Sequence, residues 1–214
     1  MKNISYSYEG EDKLIHRFFA KIKKGFYLDI GSNHPVIDNN TYLFYQMGWQ
    51  GVCVDALDFS KLYKKKRPKD LFLNTVLSNK KKILNFYTCN NQTQSSIYKN
   101  HLKKMKITSC KSFTSSSFED LLSNFKLPDE IHFMSLDIEG SEKNFLESID
   151  FKKYRIGLIV VEDKHQNMMK IYKSDIFKIL TQAGYVAVCK SLLSTYYMYP
   201  KKEYFSFLSK KIFI

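Results

Sequence analysis

The chain has 214 residues, of which 44% are hydrophobic and 15% aromatic, so it can bury one full core and is not intrinsically disordered. No apolar run reaches the ~20 residues that a membrane span needs, and residues 1–12 are too polar for a signal peptide, so we expect a cytoplasmic protein. The net charge of +13 favours anionic partners, although lysines spread along the whole chain also fit an ordinary solvated surface.

Short apolar runs alternate with amphipathic patterns along the chain, which predicts strands alternating with helices. The run at 83–88 is expected to pair with the run at 71–77 as a hairpin, and the polar segment 89–115 to form a weakly structured, lid-like excursion. In chain order, the predicted elements are a helix at 14–22, a strand at 26–30, a helix at 41–47, strands at 52–55, 71–77 and 83–88, a helix at 116–125, a strand at 132–137, a helix from 141, a strand at 157–162, a helix at 176–183, and strands at 185–189 and 204–212.

This alternation predicts an α/β fold with a mostly parallel sheet covered by helices on both faces. The last two strands suit a closing antiparallel pair. We expect a single domain over residues 1–214, with a helical cap at 1–24 and a Rossmann-like core at 25–214. The four cysteines are scattered without metal-ligand spacing, so no metal site is predicted.

The turn after the first strand reads DIGSNHP at residues 29–35, and Gly31 permits a tight turn there. A dinucleotide site would need two further glycines, but Asn33 and Val36 occupy those positions. A nucleoside cofactor without a pyrophosphate can bind next to side chains at positions 33 and 36. It is expected to need an acidic residue that accepts hydrogen bonds from its ribose hydroxyls. Asp55 ends the second strand 24 residues after Gly31, where a ribose-binding carboxylate belongs, and Asp29 could orient the turn or meet an ammonium group.

A second acidic signal lies at residues 136–142, which read LDIEGSE. Asp137 and Glu139 crowd negative charge at a strand end, and such a pair resists joint ionisation unless a cation is near. A sulfonium or a metal ion would supply that cation, whereas Glu139 could instead cap the following helix. His165 and Glu162, at the end of the next strand, are further candidates for accepting a substrate proton.

Taken together, these motifs resemble the FkbM-type methyltransferase family over nearly the whole chain. Residues 5–12 are similar to an S-Q-E-G-E-D opening, residues 40–42 and 48–51 to its S-N-T-Y and G-W-x-G elements, and residues 137–142 to its D-x-E-G-x-E block. The chain departs from the pattern at Tyr8, at Asn39 and at residues 55–58, so fine cofactor contacts could differ.

The resemblance implies a class I methyltransferase fold with a seven-stranded sheet, S-adenosylmethionine as cofactor, and methylation of a hydroxyl on a sugar, glycan or related small metabolite, which could be anionic. It also implies that residues 9–12 fold over the mouth of the site. The predicted catalytic residues are Asp137, Glu139 and His165, and the predicted cofactor-binding residues are Asp29, Gly31, Ser32, Asn33, Thr41, Asp55, Ala56, Ser96 and Asp137.

Three alternatives stay open at the level of sequence. An RNA 2′-O-methyltransferase would explain the charge and use Asp137, Lys164 and Glu162, although the sequence does not favour nucleic acid as the partner. A catalytically inactive domain would bind the cofactor without turnover, and a nucleotide-dependent oxidoreductase is opposed by the missing glycines. A magnesium ion joining Asp137 to the substrate oxygen is an option that hard oxygen ligands allow, without being predicted.

Overall fold

Buried apolar strands form a central seven-stranded sheet in the computed structural model, which describes residues 4–91, 95–123, 128–163 and 167–200. The sheet strands are β1 (Phe26–Ile30), β2 (Gln50–Asp55), β3 (Leu71–Asn74), β6 (Ile131–Leu136), β7 (Ile156–Glu162), β8 (Val186–Lys190) and β9 (Ser194–Met198). Their order is β3-β2-β1-β6-β7-β9-β8; the first five are mutually parallel, and β9 runs antiparallel to both of its neighbours. The predicted fold class, a mostly parallel sheet with a closing antiparallel pair, is confirmed.

Helices cover both faces of the sheet, so each strand must bury alternate side chains in two different cores. On β1, Leu28 joins the core cluster that includes Phe118 and Phe145, whereas Tyr27 joins the cluster on the other face. The helices are α1 (Glu11–Phe18), α2 (Tyr42–Gln46), α3 (Ser60–Lys66), α4 (Phe118–Ser123), α5 (Glu142–Leu146), α6 (Met168–Lys173) and α7 (Asp175–Gln182), with a 3₁₀ helix at Lys99–Leu102.

The predicted hairpin between 71–77 and 83–88 is wrong. β3 pairs in parallel with β2, and β4 (Ile83–Cys89) pairs instead with β5 (Ile107–Thr114) in a separate antiparallel sheet. The reason lies just beyond β3, where the backbone N–H of Ser116 donates to the carbonyl oxygen of Val76 and that of Ser78 donates to the carbonyl of Ser116. Ser116 thus occupies the position beside residues 76–78 that the strand at 83–88 would occupy in a hairpin.

The segment between these contacts, residues 79–115, therefore begins and ends at the same place beside β3. We call it the insertion. The predicted weak structure of 89–115 is wrong, because the insertion contains β5 and the 3₁₀ helix as well as β4. Two-residue periodicity is faint in β5, where most side chains are polar and exposed, and this hid the strand from sequence reasoning.

The closing pair arises earlier in the chain than the sequence indicated. β8 and β9 are joined by a short connection in which the backbone N–H of Ser191 donates to the carbonyl oxygen of Ser194 at 2.8 Å. The predicted strand at 204–212 lies outside the described residues. Within the described ranges, none of the helices has the length and apolar character needed to cross a bilayer.

Candidate functional site

A cleft of about 600 Å³ lies where the five parallel strands end. The residues at or just beyond these ends, on β1, β2, β3, β6 and β7, all contribute to its wall: Gly31, Asp55, Thr75, Asp137 and Glu162. The chain leaves β1 toward β2 on one side and β6 lies on the other, so the cleft opens at the point where the strand order reverses. Open α/β sheets bind their ligands at such a point.

Gly31 brings the ends of β1 and β6 into direct contact. Its φ is +81°, and a Cβ at this position would overlap the carbonyl oxygen of Asp137. The backbone N–H groups of Gly31 and Ser32 donate to the carbonyl oxygen of Val54 at 2.9 and 3.0 Å. A residue with a Cβ would be strained at this φ and would overlap the carbonyl oxygen of Asp137. The close approach of the ends of β1 and β6 therefore requires a glycine at position 31.

Asp55 lines the cleft at the end of β2 and fixes the turn that follows β1. Its two carboxylate oxygens accept hydrogen bonds from the backbone N–H groups of Asn33 and Leu57, each at 2.7 Å. Burial raises the pKa of Asp55 to about 6, although both hydrogen bonds act in the opposite direction. Asn33 and Ala56 line the cleft beside it, so three of the predicted cofactor-binding residues lie together.

Asp29 lies behind the cleft rather than in its wall. It is buried, and its Oδ2 accepts hydrogen bonds from Asn39 Nδ2 at 3.1 Å and Thr41 Oγ1 at 2.5 Å. Asn40, held between these two residues, lines the cleft and donates to Ser135 Oγ at 3.0 Å. Asp29 and Thr41 therefore support the loop that forms the wall, whereas their predicted contact with the cofactor stays a prediction.

Arg67 is a buried organising residue that sequence reasoning missed, because it lies in a basic run that reads as solvated surface. Its side chain is fully buried and donates to Asp70 Oδ2 at 2.6 Å, Thr41 Oγ1 at 2.8 Å and Tyr27 OH at 2.9 Å. The planar guanidinium suits several fixed acceptors at once, which an ammonium group does not. The available signal was an arginine among lysines, with an aspartate three residues later.

Replacing Arg67 by methionine should destabilise the protein by about 3–5 kcal/mol, because the buried Asp70 carboxylate loses its counter-charge. Thermal unfolding should show a Tm lower by roughly 10 °C. The matched control is Lys66→Met, whose side chain is exposed and whose loss should cost no more than about 0.5 kcal/mol. Similar losses in the two variants would remove Arg67 from its organising role.

The opposite end of the cleft holds a cluster of carboxylates. Oxygens of Asp137, Glu142 and Glu162 lie within 4.8 Å of one another. Burial, together with the charges of Glu162 and Glu139, raises the pKa of Asp137 well above its usual range. Among the described residues, Asp137 Oδ1 is buried and has no hydrogen-bond partner. Such a group is a strong candidate for holding or moving a proton.

Glu142 has a different role within this cluster. Its Oε1 accepts hydrogen bonds from the backbone N–H groups of Ile138 at 2.9 Å and Gly140 at 3.1 Å. The carboxylate thus folds back over the loop that carries Glu139, whose φ is +50°. Three carboxylates at this spacing could together bind a divalent cation. However, Glu142 already accepts backbone hydrogen bonds and does not line the cleft, whereas Asp137 and Glu162 do.

The insertion packs against the same loop and forms one side of the cleft. Ser96 Oγ donates to the carbonyl oxygen of Glu139 at 2.8 Å, and His101 Nδ1 lies 3.2 Å from the same oxygen. Ser96 is buried and holds this contact, while its neighbours Ser95 and Ile97 line the cleft. The predicted contact of Ser96 with the cofactor stays a prediction, because Ser96 supports the loop from behind the cleft wall.

The N-terminal segment lies against the acidic end. Asp12 is buried and accepts a hydrogen bond from the backbone N–H of Tyr6 at 2.7 Å, which folds residues 6–12 into a compact turn. Glu9 Oε2 accepts from the backbone N–H of Leu193 at 2.9 Å, and Glu11 lines the cleft. His165 and Lys164, two residues singled out in the sequence, lie outside the described residues.

Comparison with known proteins identifies a family match. The model of the "Methyltransferase FkbM domain" matches residues 29–187. A precorrin-6y C5,15-methyltransferase from Geobacter metallireducens GS-15 aligns with a TM-score of 0.45 at 10% identity, covering 92% of this chain and 90% of that one. The 1,6-didemethyltoxoflavin-N1-methyltransferase of Burkholderia thailandensis, solved with 1,6-didemethyltoxoflavin and S-adenosylhomocysteine, aligns with a TM-score of 0.49 at 8% identity, covering 89% and 77%. No curated protein matches this sequence.

Proposed function

Because the chain belongs to the methyltransferase FkbM family, it is a methyltransferase, and we propose that it transfers the methyl group of S-adenosylmethionine to a hydroxyl oxygen of a small molecule or glycan. The observation that carries this proposal is the division of one cleft into two ends. A buried carboxylate, Asp55, stands at one end, and the carboxylates of Asp137 and Glu162 stand at the other. The Gly31 turn lies between them.

The residues present fit a sulfonium-bearing nucleoside. Asp55 has the position and charge to accept hydrogen bonds from ribose hydroxyls, and Ile30, Val54 and Leu77 offer an apolar surface to a base. The acidic end suits a positively charged sulfur, since nearby negative charge stabilises a cation. S-adenosylmethionine supplies an intrinsically reactive methyl group, so positioning contributes much of the rate.

The carboxylates at the acidic end are placed to accept the proton that the acceptor hydroxyl loses during methyl transfer. S-adenosylmethionine, when bound, would supply the methyl carbon and keep the electrons of the broken carbon–sulfur bond on its sulfur, so the task left to this chain is to receive the proton of the acceptor hydroxyl. Asp137 and Glu162, which lie close together and compete for ionisation, form the pair to receive it. Glu139, on the adjacent loop, and His165 remain further candidates from the sequence.

The rival RNA 2′-O-methyltransferase gains no support from the cleft. Its described lining residues include no lysine or arginine that would meet a phosphate backbone. A glycan or small-metabolite acceptor remains the proposal. A cytoplasmic location also remains part of it; the cysteines are unpaired, and Cys53 and Cys89 are buried thiols, as suits a reducing compartment.

Calorimetry with S-adenosylhomocysteine tests the proposed cofactor site. Asp55→Ala should weaken binding by about 1.5–3 kcal/mol, the contribution of hydrogen bonds to a charged group. Because the pKa of Asp55 is raised to about 6, the ionised form that accepts ribose hydroxyls is lost as the pH falls below that value. Wild-type affinity should therefore fall between pH 7 and pH 5, and the variant should show a flatter profile.

The control is Asp58→Ala, which removes an exposed carboxylate three residues further on and should leave affinity unchanged. Equal affinity of the Asp55 variant and the wild type would mean that the ribose lies elsewhere. NAD should not bind comparably to either protein.

A further inference from the structure

The positive charge of the chain is concentrated in the insertion. Residues 79–115 contain eight lysines and no aspartate or glutamate, so this segment holds +8 of the chain's formal net charge of +13. Seven of the eight lysines are exposed, and within the described ranges none of the eight takes part in an ion pair. The insertion therefore presents its positive charge to the solvent, where it can attract an anionic partner.

Three of these lysines lie beside the opening of the cleft. Lys99, Lys103 and Lys104 lie in the 3₁₀ helix or directly after it, and all three are exposed. The 3₁₀ helix packs against the loop that follows β6, because His101 Nδ1 lies 3.2 Å from the carbonyl oxygen of Glu139. Glu139 in turn lines the cleft. The most basic part of the chain thus borders the edge of the sheet where the cleft opens.

Exposed apolar side chains border the same opening. Ten large apolar side chains are exposed among the described residues, and five of them belong to segments at the edge of the sheet where the parallel strands end. These five, which we call the apolar rim, are Tyr8, Ile37, Met168, Met169 and Leu192. Tyr8 lines the cleft, Ile37 follows β1, the two methionines follow β7, and Leu192 lies just before β9, beside the end of β7. Isolated exposed apolar residues are ordinary, whereas several around one opening indicate an interaction surface.

The opposite edge of the sheet offers comparable residues away from the cleft. Lys64, Lys65 and Lys66 are exposed at the end of α3. This end lies near the start of β2, because Asp70, the ion-pair partner of the adjacent arginine, accepts a hydrogen bond from the backbone N–H of Gly51 at 2.9 Å. The exposed leucine of this edge is at position 71, where β3 begins. Lysines and a leucine at this edge therefore serve as matched controls for those around the cleft.

An anionic lipid bilayer is the partner that fits both features. Lysines near such a surface are attracted to its headgroups, and aliphatic or methionine side chains gain free energy when they leave water for the boundary of the acyl chains. A single-stranded nucleic acid is met instead by aromatic side chains that stack on its bases and by arginines that bind its phosphates. The insertion contains no arginine, and four of the five residues of the apolar rim are aliphatic or methionine.

We propose that the edge of the protein around the cleft docks on an anionic lipid surface. The lysines of the insertion contact the headgroups, and the apolar rim lies at the boundary of the acyl chains. In this orientation the cleft opens toward the lipid layer, so that a molecule held in that layer has direct access to it. The docking goes beyond the proposed function, and its test requires neither the methyl donor nor an acceptor.

Sedimentation of the whole protein with vesicles tests the docking. One kind of vesicle is phosphatidylcholine alone, and the other is an equimolar mixture of phosphatidylcholine and phosphatidylglycerol. The protein should bind the mixed vesicles at least about tenfold more tightly than the neutral ones, and added salt should weaken this binding. A variant that combines Lys99→Gln, Lys103→Gln and Lys104→Gln should lose about tenfold or more of its affinity for the mixed vesicles.

The control variant combines Lys64→Gln, Lys65→Gln and Lys66→Gln. It lowers the net charge by the same amount, but its lysines lie away from the cleft, so the affinity for the mixed vesicles should fall by less than about threefold.

A tryptophan reporter shows whether the apolar rim enters the lipid layer. In Leu192→Trp, the emission maximum should shift to shorter wavelength when mixed vesicles are added, because the indole leaves water. In Leu71→Trp, the matched change at the opposite edge, the emission maximum should not shift. Trp49, the single native tryptophan, is 1% exposed and gives the same background in both variants.

Four results would overturn the proposal. Equal binding to the two kinds of vesicle, or binding to neither, would exclude an anionic lipid as the partner. Equal losses in the two triple variants would reduce the effect to the net charge of the chain. An unchanged emission maximum of Leu192→Trp on vesicles that the protein binds would remove the apolar rim from the contact. A single-stranded RNA that binds more tightly than the mixed vesicles at the same phosphate concentration would assign the lysines to nucleic acid.

Discussion

Replacing Gly31 by alanine should unfold the protein at a temperature at least 10 °C below that of the wild type. Two costs add at this position. The φ of +81° is unfavourable for any residue with a Cβ, by about 1–2 kcal/mol. The new Cβ would also overlap the backbone carbonyl of Asp137, which no side-chain rotation can relieve. We expect a total loss of about 4 kcal/mol in the free energy of unfolding, the range of exceptional single substitutions.

Gly48→Ala separates these two costs. Gly48 has a similar φ of +88°, but a Cβ there would meet nothing within 4 Å. Its replacement should cost only the conformational part, about 1–2 kcal/mol. Differential scanning calorimetry of both variants gives the difference, which measures the contact between the ends of β1 and β6. Equal losses at the two positions would show that the strand ends are not in forced contact.

Asp137→Asn should make the protein more stable and much less active. The substitution removes a buried charge that Glu162 and Glu139 repel, so the free energy of unfolding should rise by about 1–3 kcal/mol. Because the folded-state pKa is raised, the wild type loses stability as the pH climbs above the unfolded value near 3.8. The gain should therefore be small at pH 4 and largest at pH 8.

Turnover of the same variant should fall at least a hundredfold, the usual contribution of a positioned proton acceptor. Affinity for S-adenosylhomocysteine should change little, because that ligand carries no sulfonium. The rate of S-adenosylhomocysteine release with a hydroxyl-bearing acceptor measures turnover, and calorimetry measures the affinity. Asp38→Asn is the control for the loss of a cleft carboxylate. A variant with full turnover would exclude Asp137 from proton transfer, and equal losses of turnover and affinity would make it a cofactor ligand.

The arrangement of the main sheet could be predicted because its strands are short, continuous apolar runs that end in turn residues. The positions of Gly31, Asp55 and Asp137 followed from the same pattern, since the ends of parallel strands share one edge. The pairing of the strand at 83–88 could not be predicted. Its partner at 107–114 is polar and exposed, so no apolar pattern indicates that the two strands pair. A sequence pattern favours pairing between adjacent strands, whereas the actual partner of β4 lies beyond a 3₁₀ helix.

Roles within the site were harder to predict than positions. Asp29 and Asp55 lie at or one residue before the ends of their strands, and the structure was needed to show that Asp55 lines the cleft whereas Asp29 is buried behind it. Arg67 shows the same limit, because burial of one side chain in a basic run depends on a helix whose placement is a tertiary property. The sign of the cleft's charge likewise required knowing which carboxylates converge.

The insertion, finally, has a consequence for how such enzymes can diversify. Its two ends meet where the backbone N–H of Ser78 donates to the carbonyl oxygen of Ser116 and that of Ser116 donates to the carbonyl oxygen of Val76, so the segment begins and ends at the same place beside the sheet. The segment between them builds one wall of the cleft and contacts the loop that carries Glu139 through Ser96 and His101. A chimaera that swaps residues 79–115 for another sequence could thus change one wall of the cleft while it inherits the seven-stranded sheet and the strand ends intact.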